Sequence, residues 1–297
     1  MLLFRWHSQV VRQKPAKLPP SVRFRVPPIP FMLYLVATPL GNLKDITLRA
    51  IEVLKVCDYI LCEDTRHSRF LLEEYEINKP LKSFHQFNEK EMEEKVVADL
   101  RSGKEIGMIS DAGTPGICDP GEALVKRCYA ENLPFTAIPG PCAWVMALAL
   151  CPFNKEHVQF IGFLPKKEEE RKRILAIALT SGATTIFYES PHRLVDSLKA
   201  LQPARKACVM RELTKKFEEH RLGAAGELAH YYEQNPPKGE IVVIVEGTTQ
   251  DYSLLSSQEH VKFLEKEYNI STADAIKIAA ELRGIPKREI YNLIHKK

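Results

Sequence analysis

Met32-Leu33-Tyr34-Leu35-Val36-Ala37-Thr38-Pro39-Leu40-Gly41-Asn42 decides the fold of this 297-residue chain. A short apolar run, uninterrupted by charge, breaks into a tight Thr-Pro-Leu-Gly-Asn turn. A run of that kind reads as a strand buried on both faces, which is the environment of a parallel sheet covered by helices. Outward from it the same pattern repeats. Strands are expected at 32–37, 58–62, 105–110 and 134–138, with helices at 45–56 (N-capped by Asp45), 66–75, 89–102 and 120–132. This alternation is that of an α/β lobe with a mostly parallel sheet. After 143–152 a second α/β lobe follows, with strands at 158–162, 183–188, 206–211 and 240–246 and helices at 167–180, 191–201 and 224–234. Beyond Gly247 the composition turns polar and helical, with helices expected at 253–268, 272–283 and 286–295. The organisation expected is therefore an extension (1–31), an N-terminal lobe (32–145), a C-terminal lobe (146–250) and a helical tail (251–297) that contacts RNA or forms a helix-turn-helix.

With 45% apolar and 27% charged residues, the chain is neither fibrous nor wholly disordered. Its net charge is +4, yet residues 1–31 carry Arg5, Arg12, Lys14, Lys17, Arg23 and Arg25 and no acid. The remainder is thus mildly acidic, and bulk charge makes no case for nucleic-acid binding. Prolines 15, 19, 20, 27, 28 and 30 break any element in that leader, which reads as a disordered basic extension with Met32 as the functional start. No run approaches the roughly 18 apolar residues of a membrane span. Seven cysteines, with no C-x-x-C pair, suit a reduced, cytoplasmic setting and small core residues rather than disulfides or zinc. No metal is expected.

In open α/β sheets ligands bind beyond the carboxyl ends of the strands. The residues there are Thr38–Asn42, the polar cluster Glu63-Asp64-Thr65-Arg66-His67, the loop Ser110-Asp111-Ala112-Gly113-Thr114-Pro115-Gly116-Ile117-Cys118-Asp119-Pro120-Gly121, and Ile138-Pro139-Gly140-Pro141-Cys142-Ala143. Four turn-rich loops converging on one edge make a ligand pocket. No P-loop, no G-x-G-x-x-G after the first strand and no H-E-x-x-H occurs. The residues alone reach an α/β enzyme with a small-molecule pocket that is not a phosphate cradle.

These loops carry a resemblance. Leu35–Thr47, Glu63–Arg66, Ser110–Ile117, Ile138–Pro141, Gly162-Phe163-Leu164-Pro165, Tyr188-Glu189-Ser190-Pro191-His192-Arg193 and Arg211-Glu212-Leu213-Thr214-Lys215 resemble, over roughly 32–247 and the tail, the 16S rRNA cytidine 2′-O-ribose methyltransferases of the tetrapyrrole-methylase superfamily. The resemblance implies a two-lobed, usually dimeric class III fold that holds S-adenosylmethionine between its lobes. It implies donor contacts at Pro39, Asp111, Ala112, Thr114, Ile117, Ala143, Tyr188 and Leu213. Ala112-Gly113-Thr114-Pro115 stands where the superfamily usually has Gly-x-Gly-Asp-Pro.

The implied partner is 16S rRNA or the 30S subunit, and the implied reaction is methyl transfer to a ribose 2′-hydroxyl. That requires in-line placement and removal of a proton. Glu63, Asp64, Glu189 and His192 are candidates for base or orienting group, and Arg66 and Arg193 for supporting cations. Glu63–Arg66 and Glu189–Arg193 read equally well as structural ion pairs. RNA contacts are expected from Arg211, Lys215, Lys166, Lys287 and Arg288, and truncation of the tail is expected to weaken rRNA binding. The competing readings are a tetrapyrrole C-methylase and a non-enzymatic helix-turn-helix protein.

Overall fold

A computed structural model describes residues 32–247 and 255–295; the leader 1–31 and the first residues of the expected tail lie outside it. The first sheet contains β1 (Leu33–Val36), β2 (Tyr59–Cys62), β3 (Leu81–Ser83), β4 (Ile106–Met108) and β5 (Phe135–Ile138). All its pairings are parallel, in the order β3-β2-β4-β1-β5. Helices α1 (Leu48–Val56), α2 (Thr65–Glu74), α3 (Glu89–Arg101) and α4 (Glu122–Glu131) connect the strands. Burial on both faces follows the pleat. Ile60 and Cys62 pack with Ala50, Leu54 and Leu72 on one side, while Tyr59 and Leu61 pack with Val97, Leu100 and Leu124 on the other.

Two local expectations are corrected here. Asp45 is not the cap of α1: it ends a 3-10 turn, Leu43–Asp45, and the Thr47 hydroxyl instead accepts the Ala50 N–H at 3.1 Å. Strand β3 was not foreseen, because Leu-Lys-Ser is three residues long, mostly polar and lies on the sheet edge.

The second sheet contains β6 (Val158–Phe163), β7 (Thr184–Glu189), β8 (Lys206–Arg211), β9 (Glu219–Ala224) and β10 (Ile241–Val245), in the order β6-β7-β10-β8-β9. Only β6 and β7 run parallel; the other neighbours are antiparallel. Helices α5 (Ala143–Leu150), α6 (Glu168–Thr180), α7 (Leu194–Lys199) and α8 (Ala225–Gln234) complete this lobe. The unforeseen strand β9, Glu-His-Arg-Leu-Gly-Ala, is again a hydrophilic edge. An exposed edge needs charge to discourage pairing with other chains, and charge hides a strand from a hydropathy reading.

The tail forms α9 (Ser257–Tyr268), α10 (Thr272–Arg283) and α11 (Lys287–His295). It is not an appendage with a core of its own. Val261, Leu264, Ala275, Ile276, Ala279 and Ile290 belong to the same buried cluster as Leu175, Ala176 and Leu179 of α6. His260 of α9 is pushed down to about 4 by burial and by the neighbouring Arg283, whose Nε–H donates to its Nδ1 at 3.0 Å. It is a neutral core acceptor. Truncating the tail would therefore open the second lobe, so point substitutions are the sound way to probe its surface. Among the described residues no helix is long and apolar enough to cross a membrane.

Candidate active site

At the carboxyl end of the first sheet the chain leaves β1 toward β2 on one side, and β4 leads to β5 on the other. The crevice at such a reversal is where this architecture receives ligands. Two loops are stitched together above it. Thr38 N–H donates to Gly113 O at 2.8 Å, Gly113 N–H returns to Thr38 O at 3.1 Å, and the Thr38 hydroxyl donates to Ser110 O at 3.0 Å. The Thr114 hydroxyl ties the third loop to the fourth through Pro141 O at 3.1 Å. Gly113 has φ +78°, where a side chain would be strained, and an added Cβ would press on Leu40 at 3.2 Å. Gly121 has φ +125°, and its Cβ would meet Met108 at 2.5 Å. The turn chemistry thus shapes backbone rather than merely punctuating it.

The loops form one wall of a cavity of about 370 Å³, within the range of small-molecule sites. Its other wall comes from the second lobe: Phe163, Tyr188–Pro191, Leu213 and Gly239–Val242. Of the eight residues expected to contact the donor, Asp111, Ala112, Thr114, Ile117, Ala143, Tyr188 and Leu213 line this cavity. Pro39 is buried beside it, and Leu40 takes its place in the lining. The Tyr188 hydroxyl accepts the Trp144 N–H at 3.4 Å, at the otherwise uncapped start of α5. Its ring packs against Phe160 and Phe163, with centroids 5.0 and 5.4 Å away.

Among the described residues no lysine, arginine or histidine lines the cavity; its ionisable side chains include the carboxyls of Asp111, Asp119, Glu189 and Glu240. Such a lining rejects phosphates and suits a cationic ligand with an apolar flank. S-Adenosylmethionine, with its sulfonium and ammonium charges and a flat adenine for the Ile117, Leu213 and Val242 surface, fits that chemistry.

The second loop does not line the cavity. Asp64 caps α2, accepting the Arg66 N–H at 2.8 Å, and is paired with the exposed Arg66 guanidinium at 3.1 Å; the arginine's hydrogen bonds hold its carboxyl down to about 2. Asp64 N–H in turn reaches Asp111 Oδ1 at 3.4 Å. Glu63 is half-buried, and its Oε1 has no hydrogen-bond partner among the described residues. Burial, with the Asp111 charge adding to it, raises its pKa.

Glu189 lines the cavity but is committed elsewhere. Its fully buried carboxylate meets Arg193 at 2.6 Å, accepts the Ser190 N–H at 2.7 Å and is held by the Ser197 hydroxyl. His192 is exposed and outside the lining. Of the cations expected to meet RNA, Arg211 is held by Glu219 at 3.0 Å and by Lys238 O at 3.2 Å, and Lys215 by Glu212 and Glu240. Lys166, Lys287 and Arg288 are exposed, and no ion pair holds them among the described residues.

One residue the sequence reading passed over stands out. Asp119 lines the cavity at the end of the third loop. Burial, reinforced by the charges of Glu63, Asp111 and Glu240 and opposed by a hydrogen bond with Ser110, pushes its pKa up to about 7. The signal was present, an acid between glycine turns after a buried strand, but its protonation depends also on Glu63 and Glu240 from two other segments.

A family model described as Tetrapyrrole (Corrin/Porphyrin) Methylases matches residues 32–229. The chain is 41% identical over 273 residues to a Halalkalibacterium halodurans protein named ribosomal RNA small subunit methyltransferase I, covering 89% of this chain and 94% of that one. It is 46% identical over 269 residues to a Mesorhizobium japonicum protein of the same name, covering 89% and 91%. Among solved structures, diphthine synthase aligns with a TM-score of 0.60 over 82% of this chain and 98% of that one, at 11% identity, a likeness of fold alone. A cleft between two α/β lobes and sequence identity sustained through both of them lead to one conclusion: this chain belongs to the tetrapyrrole methylase family.

Proposed function

We propose that this protein transfers a methyl group from S-adenosylmethionine to the 2′-hydroxyl of a cytidine ribose in the decoding region of 16S rRNA. The observation that carries the reading is the interlobe cavity with its carboxylates and lack of cations, set in a chain similar over 89% of its length to proteins named for small-subunit rRNA methylation. Neither competing reading accounts for both: a tetrapyrrole C-methylase leaves the tail unexplained, and a helix-turn-helix binder leaves the cavity without a purpose.

When bound, the donor supplies a methyl group already activated on a positive sulfur. The chain's own residues orient, exclude water and take a proton. Asp111, Ala112, Thr114, Ile117, Ala143, Tyr188 and Leu213 hold the donor between the lobes. The 2′-hydroxyl loses its proton to Asp119, which lines the cavity and titrates near the working pH, with Glu63 and Asp111 as the neighbouring charges that raise it. Asp64–Arg66 caps α2, and Glu189–Arg193 braces the second lobe.

Purified protein should take up S-adenosylmethionine and S-adenosylhomocysteine in calorimetry and methylate 30S subunits from a strain lacking it, with the modification mapping to one cytidine 2′-oxygen. Absence of donor uptake by folded protein defeats the reading; transfer to uroporphyrinogen but not to 30S subunits replaces it with the C-methylase.

Of the cations expected to meet phosphates, Lys287 and Arg288 on α11 and Lys166 on the second lobe are exposed and have no ion pair among the described residues. Reversing both tail charges (K287E/R288E) should weaken 30S retention on filters about tenfold near physiological salt, by loss of phosphate contacts, with unchanged donor affinity. Equal retention would remove α11 from the interface.

The working form we propose is a cytoplasmic homodimer. Helix α5, Ala-Trp-Val-Met-Ala-Leu-Ala-Leu, is apolar at every position, yet Val145 and Leu150 are about half exposed. A helix apolar all round is normally covered, and a second copy would cover it. Light scattering should return twice 33.8 kDa, and V145E/L150E should return the single mass.

A further inference from the structure

Residues Glu212–Lys215, between β8 and β9, are held in an unusual way. Glu212 and Thr214 both have left-handed backbone, at φ 53° and 66°, on either side of Leu213, which lines the cavity. Neither is glycine, so surrounding bonds must enforce the conformation. Glu212 N–H donates to Glu240 O at 3.0 Å, Glu240 N–H returns to the Glu212 carboxylate at 3.0 Å, and Thr214 N–H donates to Glu218 Oε2 at 2.6 Å. The Glu212 carboxylate lies where a Cβ on Gly239 would be, 2.2 Å away, so that glycine leaves room for it.

Lys215 closes this arrangement and extends it across the cleft. Its ammonium sits 3.0 Å from Glu212 and 2.9 Å from Glu240, bridging the loop and the strand that face the cavity. Its methylenes lie across the first lobe. A Cβ built on Gly41 would fall 2.2 Å from Lys215 Cγ and 2.7 Å from Cε. Gly41 has an ordinary backbone conformation, so what requires glycine there is the lysine stem, not φ. One side chain is thus pinned by charge on the second lobe and packed on the first.

We propose that Lys215 is a positioning residue for methyl transfer: a strap laid across Gly41 that sets the width of the cleft and holds Leu213 against the bound donor. This differs from a phosphate-binding lysine, whose ammonium would face outward. The strap acts on the donor side of the reaction and rests on the cavity's taking S-adenosylmethionine.

The test uses the full-length protein and five variants, one of them held in reserve, with calorimetric titration of S-adenosylhomocysteine and steady-state methylation of 30S subunits. K215M keeps the stem and removes the charge. It should weaken binding about tenfold and raise the donor KM in parallel, with kcat at saturating donor and the KM for 30S subunits nearly unchanged. K215R should recover most of the loss. G41A, which displaces the stem, should give a donor-side defect of the same kind, and the defects should combine less than additively in G41A/K215M, because the two substitutions disturb the two ends of one side chain. Should K215M fail to fold, E240Q, which removes one carboxylate from a mostly exposed position, should give the same donor-side defect in milder form.

Wild-type affinity in K215M, or in E240Q where K215M is unfolded, overturns the strap. So does a rise in the 30S KM alone, which gives Lys215 to the RNA. If the wild-type protein binds no donor or demethylated product, it is the cavity reading that has failed.

Discussion

Asp119→Asn should make the protein more stable at pH 8 and slow methyl transfer by about 10²–10⁴-fold, the usual worth of a positioned base. The two effects have one cause. In the folded protein this carboxyl titrates near 7, against 3.8 for the free side chain, because it is half-buried among other acids. Between about pH 4 and 7 the folded state keeps a proton that the unfolded state has lost. This group therefore makes stability fall as pH rises through that window and stay lower above it. Solvent reaches the site, so the difference is about 2 kcal/mol rather than the full value of the shift. Asparagine has no proton to lose, and the variant should gain about 4–8 °C in melting temperature at pH 8 and little at pH 4. The wild-type rate should rise as pH passes about 7 and level off, while the residual rate of the variant should show no such step. Thermal melts at the two pH values, with initial rates on 30S subunits from pH 5.5 to 9, measure all of this. A variant as fast as wild type would return the base to Glu63 or Asp111.

The second large effect is on folding. Arg193→Met should cost about 3–5 kcal/mol, because it leaves the Glu189 carboxylate, which has no solvent exposure, as an uncompensated buried charge. The arginine also donates to Leu164 O at 2.9 Å and to the Ser190 hydroxyl at 3.2 Å, so it ties the end of β6 to the end of β7 at the cavity wall. Glu189→Gln removes the charge but keeps an acceptor for the Ser190 N–H, and should cost less than the arginine variant. Urea unfolding of the three proteins gives the comparison. In E189Q that remains folded, methyl transfer should persist; a stable E189Q with no turnover would show Glu189 to be the base and Asp119 to be its neighbour. An R193M variant within 1 kcal/mol of wild type would mean that solvent or another group neutralises Glu189.

Together these experiments separate carboxylates that build the cleft from those that act in it. Six acids, Asp111 among them, stand in the cleft or beside it, and sequence treats them alike. Asp64 is solvated and fixed by the arginine two residues on, Glu189 is sealed under Arg193, and Glu240 holds Lys215. Glu63 and Asp119 have raised pKa values, and that makes them suitable for moving a proton.

Much of the architecture was readable from residues. Strands β1, β2 and β4 are apolar because helices cover both faces, so their burial is written in composition, and the rule that ligands sit beyond strand ends located three of the four loops at the cavity. The edge strands β3 and β9 were not readable, because an edge is made safe by the polar residues that disguise it. The tail helices were found, but an amphipathic pattern says only that a face is buried, not against what; that it shares a core with α6 depends on contacts more than 80 residues apart in the chain. The same limit applies to charge. Arg211 and Lys215 look like free cations in a linear reading, and each has carboxylate partners brought up by a neighbouring strand or turn, whereas the Glu189–Arg193 pair, four residues apart, could be read as one. Chemical type and backbone punctuation are local properties of a chain. Pairing, desolvation and the pKa values that follow from them are properties of neighbourhoods, and those exist only once the two lobes have closed on each other.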